Sequence, residues 1–369
     1  MEWILAGTAV LALIIFFVPV AYQRIGSPSV PTDQASALSG RTIGERAAAL
    51  ILSAQKLDGT FYAAFECTSP GTRCIPVEST ATESFGYAIM ALLEAGYADD
   101  AEHAVSTALV ACEITGAECE KTFFAYDAFY RATGEQRYKD AMTQAGTHIL
   151  RQAEGASSEK YATLARRNVP DKLARLYELT GEEAYKIALE RIAQGVLALD
   201  MKQQGNVMYV AQGTPVTSRG AELIGNVLVP AYLATKDENY GVAIRNYYDT
   251  AEIAQNARVI LKQPNSYWES LLVSIESYVA LASVEVDSAQ RRKWLDDAAQ
   301  MLQAVARVRH DALELPIMDG RGGFIVDTAA MRASDKNPNR YKVLNENGRI
   351  AYLFLTAFDT TEFHFPSAE

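Results

Sequence analysis

The sequence predicts an all-α protein whose helices come in six consecutive pairs. Three observations support this prediction. Apolar residues recur with helical spacing in a long series of segments, a short junction motif repeats between pairs, and no series of long strands competes with the helices. Of the 369 residues, 49% are hydrophobic, which is enough to fill a large core.

Helical spacing, together with start and stop signals, gives the approximate bounds of each pair. The predicted pairs are 42–55 with 82–95, 99–113 with 120–133, 135–152 with 169–180, 182–200 with 216–235, 240–261 with 265–283, and 287–310 with 345–358. The predicted outer helices, which come first in each pair, carry charged faces, whereas the second helices are more uniformly apolar, as buried inner helices are.

The first 24 residues are predicted to be a transmembrane anchor. Residues Trp3 to Tyr22 form an apolar run without a charge, long enough to cross a bilayer as a helix. A cleaved signal peptide is the alternative, but Glu2 is acidic and the run ends in a poor cleavage site. Residues 25–40, rich in Ser, Pro and Gly, are predicted to be a flexible linker to a domain spanning 41–369.

The cysteines bear on which side of the membrane this domain occupies. Cys67 and Cys74 form one closely spaced pair, and Cys112 and Cys119 form another with the same spacing. Two local disulfides are predicted, which indicate an oxidising, extracytoplasmic location. Arg24 just after the span favours the cytoplasm instead, but a single basic residue is a weak topological signal.

A repeated motif marks the junctions between helix pairs. Thr133-Gly134-Glu135-x-x-Tyr138 recurs as Thr180-Gly181-Glu182-x-x-Tyr185, and a degenerate copy begins at Thr235. The glycine is expected to end one helix in a left-handed cap, and the acidic residue to lie in the first turn of the next helix. The tyrosine is expected to pack back across the junction.

This junction motif, together with the six helix pairs, resembles the six-hairpin (α/α)6 toroids of carbohydrate-active enzymes. That group includes glycoside hydrolases, polysaccharide lyases and sugar epimerases. The resemblance covers about residues 41–360 and implies a closed ring of hairpins with a glycan substrate. No catalytic motif of any family matches, so the resemblance assigns no site residue.

Three long loops connect first helices to second helices, at about 56–81, 201–215 and 311–344. In a toroid they would lie together at the N-terminal ends of the inner helices, and long loops gathered on one face usually carry function. Each contains Gly before a short apolar run, at 58–62, 205–209 and 322–325, so short β-hairpins are expected at this mouth.

Aromatic, arginine and carboxylate side chains are predicted to gather at this mouth, where they suit sugar recognition and glycosidic chemistry. The residues expected there are Tyr62, Glu66, Glu83, Tyr126, Asp127, Tyr209, Arg219, Glu222, Tyr267, Trp268, Glu269, Asp319, Arg321, Asp327, Glu346 and Arg349. The candidate catalytic carboxyl groups are Glu83, Glu222, Asp319 and Asp327. The candidate substrate-binding residues are Tyr62, Tyr126, Tyr209, Arg219, Trp268 and Arg349.

Structural roles compete with several of these assignments. Glu83 follows Thr82 at a helix start, where an acidic residue complements the helix dipole. Glu222 could be a paired structural carboxylate, and Trp268 could pack in the core. Asp319 precedes Gly320, as a turn residue does.

Taken together, these features predict an anchored extracytoplasmic enzyme that acts on a polysaccharide or glycan, in the manner of a glycoside hydrolase. A uronate lyase or epimerase, and a non-catalytic scaffold that binds a glycan or a protein, are the alternatives. The net charge of −11 disfavours a nucleic-acid partner. No cofactor or metal is expected, because the chain has no phosphate-binding glycine motif and only four histidines.

A thiol count on denatured protein isolated from membranes tests the cysteine prediction. We expect no free thiol before reduction and four afterwards, because both pairs would be oxidised outside the cytoplasm. Four free thiols before reduction would contradict the exterior location.

Overall fold

The computed structural model describes residues 37–67, 74–78, 85–262, 267–311 and 340–364. Glu83, Asp319 and Asp327 lie outside these residues, as do the predicted anchor and most of the linker. Within the described ranges, none of the helices combines the length and apolarity needed to cross a membrane. Ala37–Ser39, assigned to the linker from the sequence, form a strand of the folded domain, and Ser39 caps the first helix.

The first three helix pairs follow the predicted order closely. They are α1 (Gly40–Ser53) with α2 (Gly86–Glu94), α3 (Ala98–Cys112) with α5 (Phe123–Thr133), and α6 (Gln136–Glu154) with α8 (Val169–Thr180). Two short helices that the sequence analysis did not predict, α4 (Gly116–Lys121) and α7 (Tyr161–Arg166), lie within the second and third connections.

The last three pairs also match, with two interruptions. They are α9 (Glu183–Leu197) with α10 (Ser218–Leu223) and α11 (Val229–Thr235), α12 (Glu238–Ala251) and α13 (Ile253–Lys262) with α14 (Trp268–Val284), and α15 (Ser288–Asp311) with α16 (Leu344–Thr356). A π-helical turn, Ile224–Leu228, joins α10 to α11. Glu252, with φ of 50°, separates α12 from α13.

The ring closes where α16 packs against both helices of the first pair. This seam requires close backbone approach, because a Cβ on Gly348 of α16 would lie 2.4 Å from the amide nitrogen of Ala88 in α2. The termini of the domain reinforce the closure. Strand β1 (Ala37–Ser39) pairs antiparallel with β7 (Glu362–His364) beside the seam.

Short strands form in the long connections, as predicted for one mouth of the ring. Strands β2 (Ala64–Cys67) and β3 (Cys74–Val77) make a hairpin, and β6 (Arg340–Val343) adds to the free edge of β2. A second hairpin joins β4 (Val207–Ala211) to β5 (Thr214–Thr217). The first hairpin lies slightly later than predicted, since 58–62 contribute only an isolated bridge at Phe61, and 322–325 lie outside the described residues.

The junction motif acts as the sequence indicates. Gly134 and Gly181 end α5 and α8 with φ of 73° and 71°, and Lys236 takes the same left-handed conformation in the degenerate copy. The tyrosines that follow, Tyr138 and Tyr185, are buried. The acidic residue differs by one position from the prediction, since it is the residue that precedes the helix rather than part of its first turn.

The threonine of the motif explains why the junction is sharp. Thr133 Oγ1 donates to the Phe129 carbonyl at 2.8 Å and accepts from the Glu135 amide at 3.2 Å. Thr180 makes the equivalent pair of bonds, at 2.8 Å and 3.1 Å. One hydroxyl therefore satisfies a carbonyl of the last turn of one helix and an amide at the start of the next.

One of the two predicted disulfides lies fully within the described residues. Cys112 at the end of α3 is bonded to Cys119 in α4, and both side chains are buried. Strand pairing places Cys67 opposite Cys74 in the first hairpin. The side chains of this second pair lie outside the described residues, so their disulfide stays a prediction.

Replacing Gly181 with Ala tests the left-handed junction. We expect Gly181→Ala to lower the free energy of unfolding by about 1 kcal/mol, because a side chain disfavours positive φ. Gly155→Ala is the matched control, since Gly155 follows α6 with φ of −88°. Urea denaturation of the two variants measures the difference, and equal losses would contradict the role of the cap.

Candidate active site

A cavity of about 790 Å³ lies along the axis of the ring, enclosed by the second helix of every pair. This confirms that the second helices are the inner ones. The lining side chains are Tyr87 and Met90 of α2, Phe124, Asp127 and Arg131 of α5, Asp171, Ala174, Arg175, Tyr177 and Glu178 of α8, Pro230, Leu233 and Ala234 of α11, Glu276, Val279, Ala280 and Ser283 of α14, and Tyr352, Leu353, Thr356 and Ala357 in or just after α16.

The cavity extends along most of the length of the inner helices. Tyr87 and Asp171 lie in first turns, at the end where the long loops were expected, whereas Arg131 and Glu178 lie in last turns. The side chains of Arg131 and Glu178 are 66% and 70% exposed, so the described cavity also reaches solvent at the C-terminal ends of the inner helices.

Asp127 is the most enclosed carboxylate of the cavity, with 2% of its surface exposed. Two guanidinium groups neutralise it. Arg131 Nε donates to Oδ2 at 2.9 Å, and Arg175 Nε donates to Oδ1 at 2.5 Å. Arg175 also binds Glu178 at 2.6 Å, so these four side chains form a continuous ion-pair chain between α5 and α8.

Glu276 lies on the opposite wall and is held by Arg349 of α16. The Arg349 Nε donates to Glu276 Oε1 at 2.5 Å, and a second bond joins the other oxygen to the guanidinium. The guanidinium carbon lies 5.6 Å from the centre of the Tyr87 ring. Arg349, a substrate-binding candidate from the sequence, therefore lies behind the cavity wall as the partner of a cavity carboxylate.

Asp171 differs from the other cavity carboxyl groups because no cation among the described residues pairs with it directly. Within the described residues its side chain makes no hydrogen bond or ion pair, and it is accessible to solvent inside the cavity. Protein still surrounds it, and this desolvation raises its pKa to about 6, with repulsion from Glu276 and Asp127 adding to the shift. Asp171 therefore keeps a proton at pH values where an ordinary aspartic acid is ionised.

A buried ion pair holds the first turn of α8, which carries Asp171. Lys172 Nζ donates to Glu120 Oε1 of α4 at 3.0 Å and to the Arg167 carbonyl at 2.9 Å. His148 Nε2 of α6 lies 3.2 Å from the other Glu120 oxygen. Burial lowers the pKa of Lys172, while Glu120 opposes that shift. The pair ties α4, α6 and α8 together directly behind the cavity wall.

The catalytic candidate Glu222 lies near the start of the fourth inner helix. It is 6% exposed, Arg166 Nε donates to its Oε2 at 3.2 Å, and Ser270 Oγ lies 3.5 Å from Oε1. Burial raises its pKa, and the charge of Arg166 opposes this. The π-helical turn that begins at Ile224 follows directly, and such turns are frequent at functional sites. Glu222 does not line the axial cavity.

The aromatic candidates serve mainly structural contacts. Tyr126 is fully buried in the core, so it offers no surface to a ligand in this structure. Tyr209 is 9% exposed and donates to the Ala251 carbonyl at 2.7 Å, which fastens the β4–β5 hairpin to the body of the ring. Tyr62 is half-buried, with Lys56 Nζ 4.7 Å from its ring centre.

The remaining candidates lie at helix starts. Arg219 is half-buried in the first turn of α10, and its Nε has no hydrogen-bond partner among the described residues. Trp268 is the first residue of α14, but its side chain is outside the described part. No group of three or more metal-ligating side chains occurs within the described ranges.

Sequence reasoning included Asp127 in the wider set of mouth residues but missed Asp171 and Glu276. A signal for Glu276 was present, because Glu269 and Glu276 are the only charged residues in the apolar helix α14. Asp171 follows Pro170 in the first turn of a helix, where an acidic residue has an ordinary structural explanation. Only the closure of the ring shows that it faces the cavity.

No protein-family model and no curated protein matches the chain. Solved structures do resemble it. An unsaturated glucuronyl hydrolase from Streptococcus agalactiae is 13% identical with a TM-score of 0.55, over 92% of this chain and 99% of that chain. A substituted form of that enzyme is 14% identical with a TM-score of 0.56, over 91% of this chain and 95% of that chain.

An inactive variant of an α-1,6-mannanase from a Salegentibacter species, in complex with α-1,6-mannotriose, is a third similar structure. It is 11% identical, with a TM-score of 0.52 over 86% of this chain and 99% of that chain. These carbohydrate-active enzymes have (α/α)6 toroid folds. Their similarity to this chain confirms the toroid architecture that the sequence predicts.

The raised pKa of Asp171 predicts a specific pH dependence of stability. The folded protein holds this proton up to about pH 6, whereas the unfolded chain releases it near 3.8, so the unfolding free energy falls as pH rises between these values. Asp171→Asn removes this dependence. We expect the variant to gain stability relative to the wild type as pH rises from about 4 to 7, measured by urea denaturation. A difference independent of pH would contradict the raised pKa.

Proposed function

We propose that this protein is a carbohydrate-active enzyme that cleaves glycosidic bonds in the axial cavity. The observation that carries the proposal is Asp171, a cavity-facing carboxyl group with a pKa raised to about 6 beside carboxylates that are paired with arginines. Carboxyl groups whose surroundings separate their protonation states are what glycoside hydrolysis requires. The similar solved structures, which are hydrolases of glycans by name, support this proposal.

In this proposal Asp171 is the general acid that protonates the departing glycosidic oxygen. Glu276 is the carboxylate that stabilises the positive charge on the sugar ring or activates the attacking water. Glu276 fits this role better than Asp127, since its side chain is 26% exposed whereas that of Asp127 is 3% exposed and bound by two guanidinium groups. Arg349 would orient the Glu276 carboxylate.

The apolar part of the lining suits sugar rings. Tyr87, Phe124, Tyr177 and Tyr352 present aromatic surface to the cavity, and the rings of Tyr87 and Phe124 lie 6.1 Å apart. Aromatic faces stack on the C–H faces of sugars, while the charged cluster offers hydrogen bonds to hydroxyl groups. A glycan of one or a few sugar units therefore suits a cavity of about 790 Å³.

A uronate lyase or epimerase of the same fold is the second candidate, because Tyr87 lies beside Arg349 at the cavity wall. Burial raises the pKa of Tyr87, however, so the phenol keeps its proton near neutral pH and is not available as a base. The carboxyl cluster therefore favours hydrolysis. Binding of glycans without their cleavage would indicate the third candidate, a non-catalytic scaffold. Glu83, Asp319 and Asp327, which lie outside the described residues, remain predicted catalytic carboxyl groups.

The proposal includes an extracytoplasmic location and a membrane anchor. The apolar run from Trp3 to Tyr22 supports the anchor. The Cys112–Cys119 disulfide supports an oxidising compartment, because thiols stay reduced in the cytoplasm of most organisms. A polysaccharide outside the cell would be the substrate reached from such a position.

Substitution of Asp171 tests the catalytic assignment. We expect Asp171→Asn to lower kcat roughly 100-fold or more on any glycan that the wild type cleaves, because general acid catalysis is lost. The wild-type kcat is expected to fall as pH rises through about 6, where Asp171 loses its proton. Reducing-end release from a panel of polysaccharides measures both effects.

Asp297→Asn is the matched control. Burial also raises the pKa of Asp297, but this residue lies on the outer helix α15, away from the cavity. We expect its substitution to leave kcat unchanged. Full activity of the Asp171→Asn variant would contradict the assignment of Asp171, and binding without cleavage by the wild type would indicate the scaffold.

A further inference from the structure

The arginines at the axial cavity all bind carboxylates of the protein. Within the described residues these are Arg131, which binds Asp127, and Arg175, which binds Asp127 and Glu178. Arg349 behind the wall binds Glu276 through both carboxylate oxygens. Each of these guanidinium groups is therefore already engaged by a carboxylate of the protein, and a ligand would have to share it with that partner.

Breaking these ion pairs would be unfavourable because their carboxylates are enclosed. Asp127 has only 3% of its side chain exposed, so drawing Arg131 or Arg175 toward a ligand would weaken the neutralisation of a buried charge. Glu276 and Arg349 are 26% and 14% exposed, so their ion pair is also largely shielded from water. An anionic ligand would have to compete with partners that are already in place.

The overall charge of the lining also disfavours an anionic ligand. Among the described residues, four carboxyl groups, those of Asp127, Asp171, Glu178 and Glu276, line the cavity, together with the two guanidinium groups of Arg131 and Arg175. Arg349 behind the wall neutralises Glu276, so the three arginines balance three of these carboxylates, and Asp171 adds a net negative charge when it is ionised. A negative charge brought by a ligand would be repelled by an ionised Asp171 inside the cavity, where screening by water is reduced.

We infer that the axial cavity selects neutral sugar residues and excludes uronates, because its arginines serve to neutralise its own carboxylates. This inference rests on the proposed function and names the substrate class of the same site. Neutral hydroxyl groups can accept hydrogen bonds from the outer edges of the paired guanidinium groups without separating any ion pair. The carboxylate of a uronate would instead need a cation that no protein carboxylate already neutralises, and the arginines of the described wall are all paired in this way.

Matched polysaccharides separate the effect of charge from that of shape. Each pair consists of a uronate-containing polysaccharide and its carboxyl-reduced counterpart, which keeps the linkage but carries no charge. We expect the reduced member of a cleaved pair to bind at least about tenfold more tightly, measured by calorimetry with the inactive Asp171→Asn protein. Cleavage by the wild type should show the same preference.

Variants that release an arginine from its carboxylate test whether these ion pairs are the reason that uronates are excluded. Glu276→Gln removes the carboxylate that holds Arg349 and one negative charge from the lining, so uronate affinity is expected to rise roughly tenfold. Glu178→Gln at the exposed rim partly frees Arg175 and provides a second test should the Glu276 variant fold poorly. Glu102→Gln, which breaks an exposed ion pair with Arg137 on the outer helices, is the control and should change neither affinity.

The outcomes distinguish this inference from the proposed function. Tighter binding and faster cleavage of the uronate member would overturn the inference while leaving a glycan-cleaving enzyme. Unchanged uronate affinity in both the Glu276→Gln and Glu178→Gln variants would also overturn it. Failure of the wild type to cleave any member of any pair would overturn the proposed function itself, and the inference with it.

Discussion

Ring closure is the constraint on which the rest of this structure depends. Each hairpin can bury its inner helix only if neighbours flank it on both sides, so the sixth hairpin has to pack against the first. Helix α16 does this against α1 and α2, with Gly348 permitting backbone contact and the β1–β7 pairing beside the seam. An open arc of the same hairpins would leave the inner faces in water, and no cavity would exist.

Closure also explains the chemistry of the cavity wall. Charged side chains on inner helices are brought into an enclosed space, where each is costly unless paired. Asp127 and Glu276 meet arginines from neighbouring helices, so their charges are neutralised. Asp171 has no direct cation among the described residues, and desolvation by the surrounding protein raises its pKa to about 6 although its side chain reaches solvent in the cavity. One arrangement of charges thus accounts for both the proposed acid and the proposed exclusion of uronates.

The helical pairs were predictable because their signals are local. The left-handed caps at Gly134 and Gly181 and the threonine bonds beside them involve residues within a few positions of one another. The π-helical turn and the break at Glu252 were not predictable, since both occur within continuous helical patterns. The site was predicted only in part. Arg349 and Asp127 were included among the mouth residues, whereas Asp171 has the sequence context of an ordinary helix start.

Local sequence signals specify the order and pairing of the main helices, and which member of each pair is inner, because apolar periodicity and helix caps depend on nearby residues. Tertiary structure alone decided which charged side chains share the axial cavity. Asp127, Asp171 and Glu276 come from three different hairpins, and their distances are set by how six hairpins close into a ring. The pKa of Asp171 depends on that enclosure, because desolvation is a property of surroundings that no local segment contains.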